Sequence, residues 1–468
     1  MAAPFHHSES GRMNVHAPEL FVPPRPPISE RTLNGYRLIV ALRTNTLQIW
    51  PKEAYTADIL AQSFFRRQRF LLNSGDAIHR VMVDNIANYK RTSAAVRILR
   101  PMVGEGLILS EGDEWRHQRR TIAPSLSPRV IPMLARHVAA ATAPVIARLA
   151  ACASEPVELL ATMQLLTLEI ASRSMFSLEI ARYGPALRRL MAEFSSLAQP
   201  HPLDLLLPIS IPNWRDVARA KFRKRWIAFM DDIAAARMSE PASDHPRDLF
   251  DVLVAARDPE TGAAFSRAQL RDQMSTMNVA GHETTALTLF WAFYLLASAP
   301  AEQNRVAQEV GAIDLSVEAA ATALPKLPYT RAVVNETLRL YPPAPAVARL
   351  AIATDEVDGT TIPGGSLVTI SPWVLHRHLR LWNHPEAFDP SRFLGDKPLA
   401  HRYAYMPFGA GPRVCVGARF ALAEVGLVLA MLVQKFEIGL ADDTPVLPKI
   451  TVTTYPDHPV QFRLRARG

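Results

Sequence analysis

From residue 55 onward the chain is patterned as helix. Apolar residues return every three or four positions among abundant Ala, Leu and Arg. The clearest stretches run from Val130 to Ala151, Ser266 to Ser298 and Arg419 to Lys435, and Pro300 ends the second of them. Strand signals are fewer. Leu38 to Ile49 reads as a hairpin around Arg43-Thr44-Asn45, and Thr360 to Ile370 as strand, turn, strand. The tail adds Ile450 to Thr453 and Val460 to Leu464. Pro200 to Trp214 and Ser239 to Asp248 read as loops. Residues 1–30 form a flexible N-terminal arm stiffened at Pro23 to Pro27. The pattern predicts one mainly α domain with small β-sheets (α+β) over 31–468, without repeats or an internal linker.

Composition narrows this little. Hydrophobic residues make up 49% and charged residues 21% of the 468, an ordinary globular balance. The net charge of +8 fits an acidic protein partner. No basic tract interleaved with aromatics supports a nucleic-acid partner. The N-terminus is polar where a signal peptide is apolar, and the nearest apolar run, Leu38 to Leu42, is too short to span a bilayer. Two cysteines, Cys152 and Cys415, form no disulfide framework or zinc knuckle. The expectation is a cytoplasmic protein without a membrane anchor.

Cys415 stands in a special setting, FGAGPRVCVG (Phe408 to Gly417). Gly409, Gly411 and Gly417 allow a tight backbone that approaches a flat object closely. A helical run follows, so the sulfur sits before a helix N-terminus, where the dipole and free N–H groups favour thiolate. One thiolate in an apolar, glycine-lined loop fits an axial position of haem iron and not tetrahedral zinc. Cys152, in an Ala-rich helical stretch, reads as a small apolar filler.

Phe408, Gly411, Arg413, Cys415 and Gly417 together resemble the haem-binding signature of the cytochrome P-450 monooxygenases. Three further segments resemble that family. Glu336-Thr337-Leu338-Arg339, with Arg392 in Phe388 to Phe393, matches its structural Glu–Arg–Arg network. Ala280-Gly281-His282-Glu283-Thr284-Thr285 matches its oxygen-activation site. The matching helix is also locally unusual, since a mid-helix Gly costs about 1 kcal/mol relative to Ala. Trp115 and Arg119 match its propionate-binding helix, with Arg413 and Arg349 as further propionate donors. The resemblance spans Gly106 to Ile438.

The resemblance implies a P-450 fold, with haem b (iron protoporphyrin IX) between a long central helix and the helix after the Cys loop. Cys415 is then the metal ligand. Phe408, Gly409, Gly411 and Gly417 shape its loop, and Glu283 and Thr284 are the catalytic pair that manages protons. The implied reaction inserts one atom of O2 into an apolar small molecule, as in C–H hydroxylation. Electrons come from a separate ferredoxin or flavodoxin-type donor with its reductase, docking near Arg116, Arg120 and Lys435. His282 is not expected to be a ligand. The substrate is not legible; its contacts are expected in Ile78 to Leu109 and Ser195 to Trp214. A peroxide-driven or isomerase-type haem-thiolate enzyme and a non-catalytic haem sensor remain the alternatives.

Overall fold

The computed structural model describes residues 20–467 apart from 65–66, 153–154, 178–179, 200, 202–203, 205–206, 208, 242–244, 396–398 and 451. Its centre is the helix Arg267–Ser298, capped by Ser266, whose hydroxyl and Gln269 satisfy each other's backbone N–H groups. The helix changes character along its length. Its first half carries polar side chains, whereas Ala286 to Leu296 are all buried. Trp291 there stacks on Tyr341 with ring centroids 3.9 Å apart. Pro300 does more than end this helix: it opens the next one, Pro300–Val310, after a bend of 112° at Ala299.

Helices Ile131–Ala151, Leu159–Phe176 and Ala418–Lys435 pack around the centre. The segment Pro128–Ala151 is long and apolar enough to cross a membrane. Leu134, Ala135, Val138 and Ala139 on it nevertheless belong to the buried core. The lateral sheet has five strands: β1 (Ile59–Phe64), β2 (Arg67–Leu72), β3 (Tyr89–Arg91), β4 (Val347–Ala351) and β5 (Leu367–Ile370). Their spatial order is β1-β2-β5-β4-β3, with only β2 and β5 parallel. A three-stranded sheet joins Val157–Glu158, Gln461–Ala466 and Phe436–Leu440. Thr360–Ile362 pairs with Asp355–Val357 and not with β5, so the expected strand, turn, strand lies in two sheets.

The hairpin expected over Leu38 to Ile49 is instead the helix Gly35–Thr44 followed by a tight turn, Thr46–Ile49. The apolar run Leu38-Ile39-Val40 imitates a strand, but its backbone bonds are helical and Ile39 and Val40 face outward. Asn45 breaks the helix by going extended and accepting the Leu47 N–H. In the N-terminal arm, residues 20–30 lie against the body: Phe388 N–H donates to the Phe21 carbonyl (2.8 Å), and Arg25 pairs with Glu386. The rest of the arm lies outside the described residues.

Behind the Cys loop is a buried ionic cluster. Arg339 Nε and Nη2 each donate to the Glu336 carboxylate at 2.7 Å, and Arg392 Nε reaches the same carboxylate at 3.3 Å. Arg339 also donates to the carbonyls of His376, Pro385 and Ala387. Charges this deep are tolerated because their donors and acceptors are paired. His376 continues the cluster toward the loop. Its Nδ1 meets the Arg339 carbonyl at 3.1 Å, and its Nε2 accepts the Met406 N–H at 3.0 Å. Accepting at Nε2 requires a neutral ring with its proton on Nδ1, and burial together with Arg339 pushes its pKa down to about 3.

Candidate active site

The loop Met406 to Gly417 is shaped by its glycines. Gly409 and Gly411 have φ of +76° and +66°, a region side-chain-bearing residues avoid. At Gly411 a Cβ would also run into the Met82 carbonyl. Cys415 N–H closes the loop on the Phe408 carbonyl at 2.9 Å. The Cys415 side chain is solvent-accessible by area yet surrounded by protein. The space it opens onto is a cavity of about 1170 Å³, whose wall includes Cys415. Burial pushes the thiol up, while the Gly417 N–H and the Arg119 charge act against it. Among the described residues no cluster of three or more His, Cys, Asp or Glu could hold a metal ion.

Trp115 and Arg119 lie on the helix Gly112–Ile122 beside this loop. Arg119 Nη1 donates to the Val414 carbonyl at 2.8 Å, so this side chain braces the loop as well as lining the cavity. Arg413 stacks its guanidinium over Trp115 (4.4 Å to the ring centre), donates to the Ser110 carbonyl (3.1 Å) and pairs with Glu111. Arg349, on β4, stands in register opposite Arg91 on β3. Sequence reasoning missed Arg91, because nothing local marks it. Its Nε is buried without a hydrogen-bond partner and lies 3.8 Å from Glu111. Burial, then Arg349 and Arg413, push the Arg91 guanidinium down to about 9. Burial and Arg413 also lower Arg349.

Three guanidiniums, Arg91, Arg349 and Arg413, therefore share one carboxylate, Glu111, and carry a surplus of two positive charges on the cavity wall. A haem has two propionates, so this donor set fits the expected cofactor. Gly281 lines the cavity, and a Cβ there would meet no atom within 4 Å.

Glu283 and Thr284 also line the cavity, but no hydrogen bond among the described residues joins them. Thr284 Oγ1 donates back to the Ala280 carbonyl at 2.6 Å. Glu283 Oε1 accepts from Thr453 Oγ1 at 2.8 Å. His282 is buried with Nε2 3.0 Å from the Gln164 carbonyl. Glu424, on the helix Ala418–Lys435, was also missed. It lines the cavity with 2% of its surface exposed, and its Oε1 has no partner. Burial pushes its carboxyl well up.

Of the expected substrate contacts, Ile98, Leu107 and Leu109 from the first segment and Ser195, Ala198 and Gln199 from the second line the cavity. The 104–109 stretch is seated on the central helix: Glu105 N–H donates to Asp272 (2.9 Å) and Leu107 N–H to Gln273 (3.1 Å). The expected docking cations do not form a set. Arg120 is committed to Asp258 (3.0 Å) and Glu260 (3.2 Å), and Arg116 pairs with Asp113. Lys435 ends the 18-residue helix that begins beside Cys415. At 1.5 Å per residue that places it roughly 27 Å away, at the far end.

The sequence profile of the cytochrome P-450 family matches residues 52–462. Cyclooctat-9-en-7-ol 5-monooxygenase of Streptomyces melanosporofaciens is 35% identical over 347 residues, covering 72% of this chain and 74% of its own. Cyclooctatin synthase of the same organism is 29% identical over 428 residues, 89% of this chain and 90% of its own. The solved cytochrome P450DA heme domain has the same fold, with a TM-score of 0.78 at 23% identity over 96% of this chain and 98% of that one. A profile that begins before β1 and ends in the last strand takes in the Cys loop, its ionic brace and the opened central helix together, and this chain therefore belongs to the cytochrome P-450 family as a haem b monooxygenase.

Proposed function

We propose that this monooxygenase hydroxylates an apolar small molecule with electrons from a separate acidic ferredoxin or flavodoxin, in the cytoplasm. The carrying observation is the cavity: Cys415 lies on its wall together with Gly281, Glu283 and Thr284, and the remaining lining is dominated by Leu, Ile, Val, Ala and Met side chains. Thiolate-ligated haem supplies the oxygen chemistry when bound. The protein's own residues do the rest. Cys415 would be the residue that ligates the haem iron, held by the Phe408 carbonyl and the Gly417 N–H. Arg91, Arg349, Arg413, Arg119 and Trp115 would hold the propionates.

Thr284 can rotate its hydroxyl from the Ala280 carbonyl toward the cavity and pass a proton through a water. Glu283 would reload that water. The apolar walls exclude bulk water and orient the substrate. Two relatives, a cyclooctat-9-en-7-ol monooxygenase and a cyclooctatin synthase, support by their names a largely hydrocarbon substrate bearing few polar groups.

The presence of Glu283 and Thr284 together favours oxygen-driven over peroxide-driven turnover. The test compares product formed with ferredoxin, its reductase, NADPH and O2 against product formed with hydrogen peroxide alone, across a library of terpenes, fatty acids and aromatic compounds. Binding is read first as a shift of the haem absorption spectrum. Thr284→Ala should keep haem and substrate affinity while diverting electrons into hydrogen peroxide. Full coupling in that variant, or turnover with peroxide only, would sink the assignment.

A further inference from the structure

Part of the cavity wall is built without regular structure. Leu107, Ile108 and Leu109 line the cavity from a segment that follows the helix Ser93–Val103 and belongs to no helix or strand. Such a stretch ordinarily yields to what presses on it. This one lies flat on the central helix. Gly104 stands at φ +58°, and a Cβ there would run into the Asp272 carboxylate. At Gly106 a Cβ would run into the Thr276 hydroxyl. Only glycine permits so close an approach at both points.

Two buried amides hold the segment there, Gln273 of the central helix and Gln118 of the helix Gly112–Ile122. Their bonding order is forced from both ends. A backbone N–H can only donate, so Leu107 N–H makes Gln273 Oε1 the acceptor, at 3.1 Å. Gln273 Nε2 then donates to Gln118 Oε1 at 2.8 Å, and the Ser110 hydroxyl donates to that same oxygen at 3.1 Å. Gln118 Nε2 is left to donate to the Glu105 carbonyl at 2.9 Å and to Glu114 at 2.7 Å. A carbonyl can only accept, so the two ends agree. Neither amide has an unpartnered atom, and a fully satisfied buried network is rigid. The Ser110 carbonyl also receives Arg413 at 3.1 Å, which registers the segment against the Cys loop as well.

We propose that Gln273 and Gln118 are positioning residues that set the width of the substrate site, by holding Leu107 and Leu109 in place, so that the enzyme selects apolar molecules by cross-section. The proposal rests on the reading of this cavity as the site of an apolar substrate. Both amides act through the segment. Moving Leu107 outward to admit a wider molecule breaks the network and leaves its members unpaired in the interior. That cost makes an otherwise pliable apolar wall selective.

The test uses the holoenzyme and three variants. Gln273→Met and Gln118→Met keep the side-chain length and remove the bonds. Gly106→Ala drives a Cβ against Thr276 and lifts the segment without touching either amide. Each must first show the reduced carbon monoxide band of the parent. Amide hydrogen exchange in the peptide spanning 104–110 should rise about tenfold or more in all three, while the peptide spanning 286–296 keeps its protection. Width is probed with imidazole, 4-phenylimidazole and 4-(1-naphthyl)imidazole, titrated by the shift of the haem absorption spectrum. The parent should favour the phenyl over the naphthyl compound. In each variant that affinity ratio should shrink about tenfold, equivalent to about 1.4 kcal/mol, with the affinity for imidazole itself unchanged. A lower Tm with an unchanged ratio would show a merely structural role and overturn the proposal, as would unchanged exchange at 104–110. Should both Met variants fail to hold haem, Gly106→Ala decides by the same two readouts. Imidazole binding does not depend on the natural substrate. Failure of every apolar compound to be oxidised therefore falls on the functional reading and leaves the ratio standing.

Discussion

Arg91 and Arg349 stand directly across from one another on adjacent antiparallel strands, two guanidiniums where a sheet usually sets opposite charges. Their side chains are mostly buried, and Arg413 stands near both. Without a bound dianion this arrangement repels itself. Arg349→Met should relieve that repulsion in the apoprotein and raise its Tm. In the holoprotein the same change should speed haem loss several-fold, because one donor to a propionate is gone. Haem transfer to apomyoglobin measures the second effect, and calorimetry of the apoprotein the first. Equal haem-loss rates in parent and variant would remove Arg349 from the cofactor site.

The two cysteines should separate cleanly. Cys415→Ala should abolish the red-shifted band of the reduced carbon monoxide complex, and Cys152→Ala should preserve it. Cys152 follows the C-terminus of Ile131–Ala151 and lies outside the cavity wall. A normal band from the Cys415 variant would contradict the whole assignment of the loop.

Acid should unlock the fold at His376. Its folded pKa of about 3 lies below the value of 6.5 for a free ring, so the unfolded chain binds the extra proton. The stability from this group is complete above pH 6.5 and is lost as pH falls from 6.5 toward 3, at about 1.4 kcal/mol per pH unit. His376→Gln should flatten the fall in Tm over that range while lowering Tm at pH 7.5, since one of the two bonds to Arg339 and Met406 is weakened. A parent Tm that is level between pH 6.5 and 4.5 would show that the ring titrates normally.

Glu424 has the opposite dependence. Burial raises its carboxyl pKa, so its contribution is present at low pH and turns into a penalty as pH climbs above the ordinary carboxylate range. Glu424→Gln keeps the shape and cannot ionise. The variant should match the parent near pH 5 and exceed its Tm near pH 8. Thermal melts at the two pH values decide it, and a gap that does not widen with pH would mean that Glu424 has a partner after all.

The parts legible in the sequence were those written in consecutive residues. The spacing of Phe408 to Gly417 located the sulfur, and the apolar period located Arg267–Ser298 to within a residue. Arg91 was invisible because its meaning comes from β-register with Arg349, 258 positions away by number. Arg120 misled for the same reason: its charge looks free until Asp258 is folded against it. The hold of Thr453 on Glu283 joins two segments that no local rule connects. At Gly35–Thr44 local signals conflicted, since Ile39 and Val40 favour strand while an isolated surface helix was what the backbone formed.

Glu386 is gripped from two sides, by Arg25 of the leading segment and by Arg377 at 3.1 Å, whose guanidinium rests 3.6 Å over Trp373. One residue further on, the carbonyl of Ala387 receives Arg339. The first described residues are thus a hasp across the back of the haem-loop scaffold. Shortening the gene for expression consequently has a floor. A protein beginning at residue 20 keeps the hasp, whereas one beginning at residue 31 frees the Phe388 N–H and strips Glu386 of a cation, so it should tolerate less heat although no part of its catalytic cavity has been cut.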